Sequence, residues 1–419
     1  MHSSDFKTVH KSAVHHENRF EELRRFMFKR SMPLAVMAVV ALAGVASAQF
    51  SQVTPEQALA RLFNQGPVKS EWFAADILKQ VPLAQIQTVI SGLVKQGGAF
   101  QKVTPDGQNF VIEFEKTLVN ATIRLDAQGK ITTLLFTGSK PRVKDLKGAI
   151  KAYFNLPGKF SVLVLKNGQK VQEAGTTDPL AVGSTFKLAV LAALQEKIDA
   201  GTLKWDTVTQ LQEGDISLPS GFLQEWPVGS SLTLETLAGL MVSQSDNTAT
   251  DVLIRVLGRE SIEKFLPGRN KPLLTTRNLF ALRDTQNKAA LDRYVTGDVN
   301  VRQEVLKQLD LIPASKIVYA NVPGDLRAEW LMTPLEACNL MEKVQNLKVT
   351  QINPGPVNPR DFKQVSYKGG SEVGVLNLTT ALVDAAGNRF CVSATWNHNQ
   401  TIDETLFVQL YLNVIGSLE

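Results

Sequence analysis

The sequence predicts an α/β, more closely α+β, fold in two parts: a small α+β unit, then a larger unit with one antiparallel sheet flanked by helices. Three observations predict it. At 419 residues the chain exceeds one average domain. Residues 49–140 carry three helical patterns followed by four alternating apolar segments with glycine turns between them. Residues 141–419 carry strand patterns at both ends and a long helical stretch between.

The opening segment has the pattern of an export signal, with an uncleaved membrane anchor as the alternative. Phe26-Met27-Phe28-Lys29-Arg30-Ser31 is basic, Met32 to Val45 is an apolar run too short for a comfortable membrane span, and Ala46-Ser47-Ala48 fits a small-residue cleavage site. Residues 1–48 are therefore expected to be a signal peptide, removed near Gln49, leaving a periplasmic or secreted protein with no lasting membrane partner. The overall charge says little about the folded part. The whole chain has 45 basic and 40 acidic residues, and the first 48 residues hold 7 and 4 of them, so 38 and 36 remain. No basic stripe marks a nucleic-acid surface.

In residues 49–140, Thr54-Pro55-Glu56-Gln57 opens a helix with a cap and a proline at its first position. Helices are expected over Ser70–Gln80 and from Leu83 to Lys95, the latter ending at Gly97-Gly98. Strands follow at Ala99–Val103, Asn109–Phe114, Leu118–Leu125 and Ile131–Phe136, and Ser139-Lys140-Pro141 reads as the boundary. No catalytic constellation lies in this unit, and it reads as a packing or ligand-holding module.

In residues 141–419 a helix near Val143–Phe154 precedes strands at Phe160–Lys166 and Lys170–Glu173. The helical middle runs from Ser184 to Leu347. Strands at Gln364–Lys368, Val373–Val383 and Arg389–Trp396 and a helix from Thr401 to Ile415 close the chain. Cys338 falls in a helical pattern and Cys391 in a strand pattern. A bridge between them and two separate buried thiols both fit.

Histidine usage narrows the chemistry. Four of the five histidines, His2, His10, His15 and His16, lie in the export segment, leaving His398 in a polar turn. A histidine-built zinc site is excluded, so no metal and no cofactor is expected. A serine-histidine triad would rest on His398 alone, with no G-x-S-x-G turn beside it. A hydrolytic serine here needs another base.

Ser184-Thr185-Phe186-Lys187 supplies one at the start of an apolar helix. A three-residue step places both side chains on one face. A helix start favours an oxyanion, and apolar neighbours that bury a lysine lower its pKa, so a neutral amine can take the serine proton. The pattern alone is weak, because Ser4-Asp5-Phe6-Lys7 and Ser261-Ile262-Glu263-Lys264 share it. Two further elements single out Ser184. Ser243-Gln244-Ser245-Asp246-Asn247 separates two helices and can aim Ser245 and Asn247 into a cleft, although the same residues also suit a helix cap. Lys368-Gly369-Gly370 sits on a strand, where missing side chains can admit a substrate backbone and the lysine can hold a carboxylate.

Together these segments resemble the S-x-x-K, S-D-N and K-T-G set of class A β-lactamases and penicillin-binding proteins over roughly 141–419. Arg327 and Thr333-Pro334 also look like the segment that follows the family's omega loop. The resemblance implies a β-lactamase/transpeptidase-like domain and an acylated Ser184 with Lys187 as its base. It also implies Ser245 as proton relay, Asn247 on the substrate amide, Lys368 on its carboxylate, and an oxyanion hole from the N–H groups of Ser184 and Ser371. The expected ligand is a β-lactam, a related ester or a peptidoglycan-like compound, met by a monomer.

Two departures stand out. The omega-loop glutamate that activates the deacylating water has no counterpart near Ser315-Lys316 or in Asn278–Leu282, where a polar helical insertion over about Thr275–Leu309 stands instead. Gly369 replaces the usual Thr or Ser, with Ser371 as a substitute hydroxyl. These departures and the extra N-terminal unit resemble the two-domain β-lactamase-like protein of clavulanic-acid gene clusters, linked to ester hydrolysis on cephalosporin-type substrates. A hydrolase, an acyl-accepting sensor without turnover and a scaffold retaining the fold are the three functions the sequence leaves open.

Overall fold

The computed structural model describes residues 53–141, 145–319 and 323–418, so the expected export segment lies outside the described residues. The chain gathers into two compact units with the seam between Ala149 and Ile150, and the residues from Leu412 onward group with the first.

In the first unit α1 (Pro55–Asn64) starts on a reciprocal cap. The Thr54 hydroxyl accepts from the Gln57 N–H at 3.2 Å, and the Gln57 side chain accepts from the Thr54 N–H at 3.0 Å. The single helix expected over Ser70–Gln80 is instead a 3₁₀ turn, Ser70–Trp72, and α2 (Ala75–Gln80). Phe73 between them is extended and bridges to Ile131, whose carbonyl accepts from the Ala74 N–H. The sheet thus captures residues whose apolar pattern also suits a helix. After α3 (Leu83–Gly97), strands β1 (Phe100–Asp106), β2 (Asn109–Phe114), β3 (Thr117–Leu125) and β4 (Ile131–Pro141) form an antiparallel meander. Ile112, Phe114, Ala121, Ile123 and Ile131 build its core. The expected boundary Ser139-Lys140-Pro141 is the end of β4, paired with Val119, Leu118 and Thr117.

α4 (Leu146–Lys151) crosses the seam. The second unit is built on β5 (Lys159–Lys166), β6 (Gln169–Gly175), β11 (Gln364–Glu372), β12 (Val375–Val383) and β13 (Arg389–Asn397), antiparallel in the order β11-β12-β13-β5-β6. β12 and β13 are buried nearly throughout because helices cover both faces. Cys391 points to one face and is disulfide-bonded to Cys338 of α12 (Pro334–Val344). Val392 presents the other face, where its carbonyl accepts from the Tyr411 hydroxyl of α13 (Glu404–Ile415). The bridge settles the alternative that the sequence left open.

Between β6 and α12 lie the short pair β7 (Leu180–Ala181) with β10 (Leu331–Met332), the pair β8 (Val208–Gln210) with β9 (Ser231–Thr233), and the helical layer. That layer holds α5 (Lys187–Asp199), α6 (Leu234–Ser243), α7 (Asn247–Leu257), α8 (Arg259–Glu263), α9 (Thr276–Arg283), α10 (Lys288–Thr296) and α11 (Val299–Leu309). The expected polar insertion over about Thr275–Leu309 is helical, and every residue of α9 is buried, with the side chains of Arg277, Asn278 and Arg283 bonded within the protein. Of the accidental S-x-x-K matches, Ser261-Ile262-Glu263-Lys264 lies on and just after α8, with Lys264 paired to Glu196 in solvent.

Candidate active site

Ser184 does not begin the α-helix. Gly183–Phe186 form a 3₁₀ turn, and Lys187 is the first residue of α5. The turn is tight because the chain is pinned before the helix starts. The Asn397 side-chain amide bonds the N–H and C=O of Ala181 at 2.8 and 2.9 Å, and the Val182 N–H donates to the Trp330 carbonyl at 3.0 Å. The Thr185 hydroxyl donates to Asn377 Oδ1 on β12 at 2.8 Å, and Phe186 stacks on Trp330 with ring centres 3.8 Å apart. Side chains three apart eclipse in a 3₁₀ turn, so Ser184 and Lys187 still share a face.

Lys187 is fully buried. Its Nζ donates to the Ser245 carbonyl at 2.5 Å and Asn247 Oδ1 at 2.7 Å, and lies 3.3 Å from Ser245 Oγ. Ser245 reaches this position in a left-handed conformation, φ 55°, rare for a residue with a Cβ. The Ser220 hydroxyl also donates to its carbonyl at 2.6 Å. The helix-cap reading of the same loop holds for Asp246. Asp246 caps α7 by accepting from the Ala249 N–H at 2.8 Å, and it takes the N–H groups of Phe222 and Leu223 at 2.8 and 2.9 Å. Gly221, φ +82°, lets it in, because a Cβ there would stand 2.2 Å from Asp246 Oδ2. Ser220 is a contributor that none of the three motifs contains. Its signal, the polar step Ser220-Gly221 between apolar segments, is too common to read alone.

The third element arrives from β11. Lys368 is buried, and its Nζ lies 2.9 Å from Ser245 Oγ and 2.5 Å from the Gly369 carbonyl. On the side where a side chain would stand, both glycines are packed against the chain itself, while β11 is an outer strand of its sheet. A Cβ on Gly370 would stand 2.0 Å from the Val182 carbonyl and 2.5 Å from the Ser184 nitrogen, and one on Gly369 would stand 2.1 Å from the Tyr367 hydroxyl. The turn that carries Ser184 and the ring of Tyr367 fill those spaces, so both glycines serve close packing within the chain. The Ser371 nitrogen lies 3.1 Å from where a Gly183 Cβ would be, which sets the N–H groups of Ser184 and Ser371 on either side of one contact between turn and strand. The Ser371 hydroxyl faces Glu404 Oε1 at 3.4 Å.

Neither stretch searched for an activating glutamate supplies one. Ser315 and Lys316 lie exposed in a 3₁₀ turn, and Asn278 is tied to Asp310 and Thr275. Instead the structure gathers four residues no local pattern joined. Arg283 pairs with Glu329 and with Glu372, the latter at 3.2 Å, and the Tyr319 hydroxyl donates to Glu372 at 2.9 Å. Burial pushes the Glu329 carboxyl up to about 7 against the pull of Arg283. Among the described residues no group of three or more His, Cys, Asp or Glu is arranged to hold a metal ion.

Comparison with known proteins adds an independent line. Residues 141–308, which include Ser184, Lys187, Ser245 and Asn247, match the β-lactamase enzyme family. Among curated proteins, β-lactamase VEB-1 of Pseudomonas aeruginosa is 33% identical over 87 residues, 20% of this chain and 29% of that protein, so the match spans under a third of that relative. Solved structures similar to this chain include a β-lactamase from Sphaerobacter thermophilus, with 18% identity, a TM-score of 0.41, and 66% of this chain and 96% of that one covered. A β-lactamase from Francisella tularensis shows 14% identity and a TM-score of 0.45, covering 64% of this chain and 96% of that one. The similarity to the β-lactamase enzyme family thus falls on the stretch of this chain that carries Ser184, Lys187, Ser245 and Asn247.

Proposed function

We propose that the chain is an exported serine hydrolase that forms an acyl-Ser184 intermediate on β-lactams or related esters. The observation that carries this reading is the convergence of Lys187 and Lys368 on one hydroxyl, Ser245 Oγ, beside the turn that holds Ser184. Lys187 takes the Ser184 proton as Oγ attacks the acyl carbon. Ser245, bonded to both lysines, passes a proton to the leaving nitrogen or oxygen. The developing oxyanion meets the N–H groups of Ser184 and Ser371. Lys368 attracts a substrate carboxylate, and Asn247 orients the amide while holding Lys187. Export rests on the basic, apolar and small-residue pattern of residues 26–48. Intact-mass measurement after mixing with penicillin G, a cephalosporin and p-nitrophenyl acetate tests the reading. A transient Ser184 adduct with product release supports the hydrolase, and a permanent stoichiometric adduct supports an acyl-accepting sensor. No adduct and no product, from wild type and Ser184→Ala alike, sinks both.

A further inference from the structure

Release of an acyl-serine demands a second nucleophile, and water attacks an ester usefully at neutral pH only when a base takes its proton in flight. The acid supplying that base must stand on the Ser184 side of the sheet and keep access to water. Alternate residues of a strand share a face, and the pairing of β11 with β12 runs unbroken from Gln364 with Val383 to Glu372 with Val375. Lys368, Gly370 and Glu372 therefore line one face. Gly370 packs on the Ser184 turn and Lys368 reaches Ser245, so the nucleophile stands against the middle of the three, with Glu372 about 7 Å along the strand on the side opposite Lys368.

Glu372 is also held for the task. The Tyr319 hydroxyl and Arg283 Nη1 both reach its Oε2, which fixes the carboxylate plane and leaves Oε1 to accept from water. Arg283 carries two carboxylates, and their access differs. The Glu329 side chain is fully enclosed, whereas that of Glu372 is 17% exposed. Glu329 thus balances the guanidinium from behind, and Glu372 is the one that water can reach.

Resting on the acyl-Ser184 reading, we propose that Glu372 is the general base of deacylation. Its Oε1 takes a proton from a water molecule as the water oxygen bonds to the acyl carbon, and the carbonyl electron pair moves onto the oxyanion. Collapse of the tetrahedral species breaks the bond from the acyl carbon to Ser184 Oγ and releases the carboxylic acid. The proton on Glu372 returns to Ser184 Oγ, restoring both groups. Arg283 and Tyr319 are positioning residues that act through Glu372.

The test is Glu372→Gln in the full chain, with acylation and product release followed separately for penicillin G and p-nitrophenyl acetate. The expected result is one equivalent of product in a burst, a persistent Ser184 adduct by mass, and steady-state turnover down by about 10²- to 10⁴-fold with acylation within about threefold of wild type. Turnover like wild type, or acylation and turnover falling together, overturns the assignment. A wild-type enzyme that is acylated but never released also overturns it and leaves the acyl-serine reading standing. A wild type that forms no adduct and no product removes that reading itself. Should the glutamine variant fail to fold, Glu372→Asp keeps the charge for Arg283 and withdraws the base by one methylene. A tenfold or larger loss confined to deacylation is then expected, and an unchanged deacylation rate overturns the proposal.

Discussion

Lys187 Nζ lies 2.7 Å from Asn247 Oδ1, so the first residues of α5 and α7 are joined head to head across the helical layer. The bond sets the amine where the Ser245 hydroxyl and carbonyl also meet it. Lys187→Met preserves most of the side-chain volume and removes the amine. Acylation should fall by about 10²- to 10⁴-fold. Asn247 Oδ1 and the Ser245 carbonyl lose a donor, which should cost about 1–3 kcal/mol of stability. Stopped-flow acylation and thermal unfolding measure the two effects, and an acylation rate near wild type would remove Lys187 from the mechanism.

Gly370→Ala forces a methyl group into the contact with Val182 and Ser184. Both neighbours are backbone atoms pinned elsewhere, so the turn must shift. A destabilisation of about 1–3 kcal/mol is expected, with loss of most acylation. A stable and fully active Gly370→Ala would show that turn and strand do not meet as described.

Lys368→Ala should separate substrates by charge. A probe with a free carboxylate should lose about 10- to 100-fold in kcat/KM relative to its methyl ester, the size of one charge-assisted hydrogen bond. Equal losses on both probes would assign Lys368 to Ser245 alone.

The Cys338–Cys391 bridge closes a loop with a sequence separation of 53 between α12 and β13. Cys338→Ser with Cys391→Ser should lower stability by about 2–4 kcal/mol, because the open loop regains entropy when unfolded. Chemical denaturation with and without reductant measures this. Indifference of the wild type to reductant would mean that the bridge does not form.

Asp251 supplies a pH signature. It accepts the N–H groups of Thr276 and Arg277 at 2.8 and 3.0 Å, and burial pushes its carboxyl from 3.8 up to about 6. The folded state then binds more protons than the unfolded state between those values. Its contribution is complete below pH 3.8 and is lost as pH rises to about 6, by up to about 3 kcal/mol. Unfolding free energies across that window should fall more steeply in the wild type than in Asp251→Asn, which keeps only the slope from Glu329, also raised by burial.

What the sequence revealed followed the range of each signal. The β12–β13 hairpin was plain because Gly387-Asn388 punctuates two long apolar runs, and Ser184 stood out because three short motifs kept their order. The burial of helix α9 was not legible because Arg277, Asn278 and Arg283 read only as polar in a linear pattern, whereas their partners Asp310, Arg259 and Glu329 lie far along the chain. The glycines of β11 show a similar limit. A missing side chain announces close approach, but which atom approaches is decided by tertiary packing. Glu372 escaped notice because its partners, Tyr319 and Arg283, are separated from it by 53 and 89 positions.

Ser245 sits at φ 55°, a conformation that a side-chain-bearing residue holds at a cost of about 1–2 kcal/mol and glycine holds freely. Folding and function therefore favour different residues at this position. Ser245→Gly would relieve the backbone while deleting the hydroxyl between the two lysines, so selection for expression or thermal endurance alone would drift toward an inert protein. On the acyl-Ser184 reading, this serine gives up some foldability for the hydroxyl that stands between the two lysines.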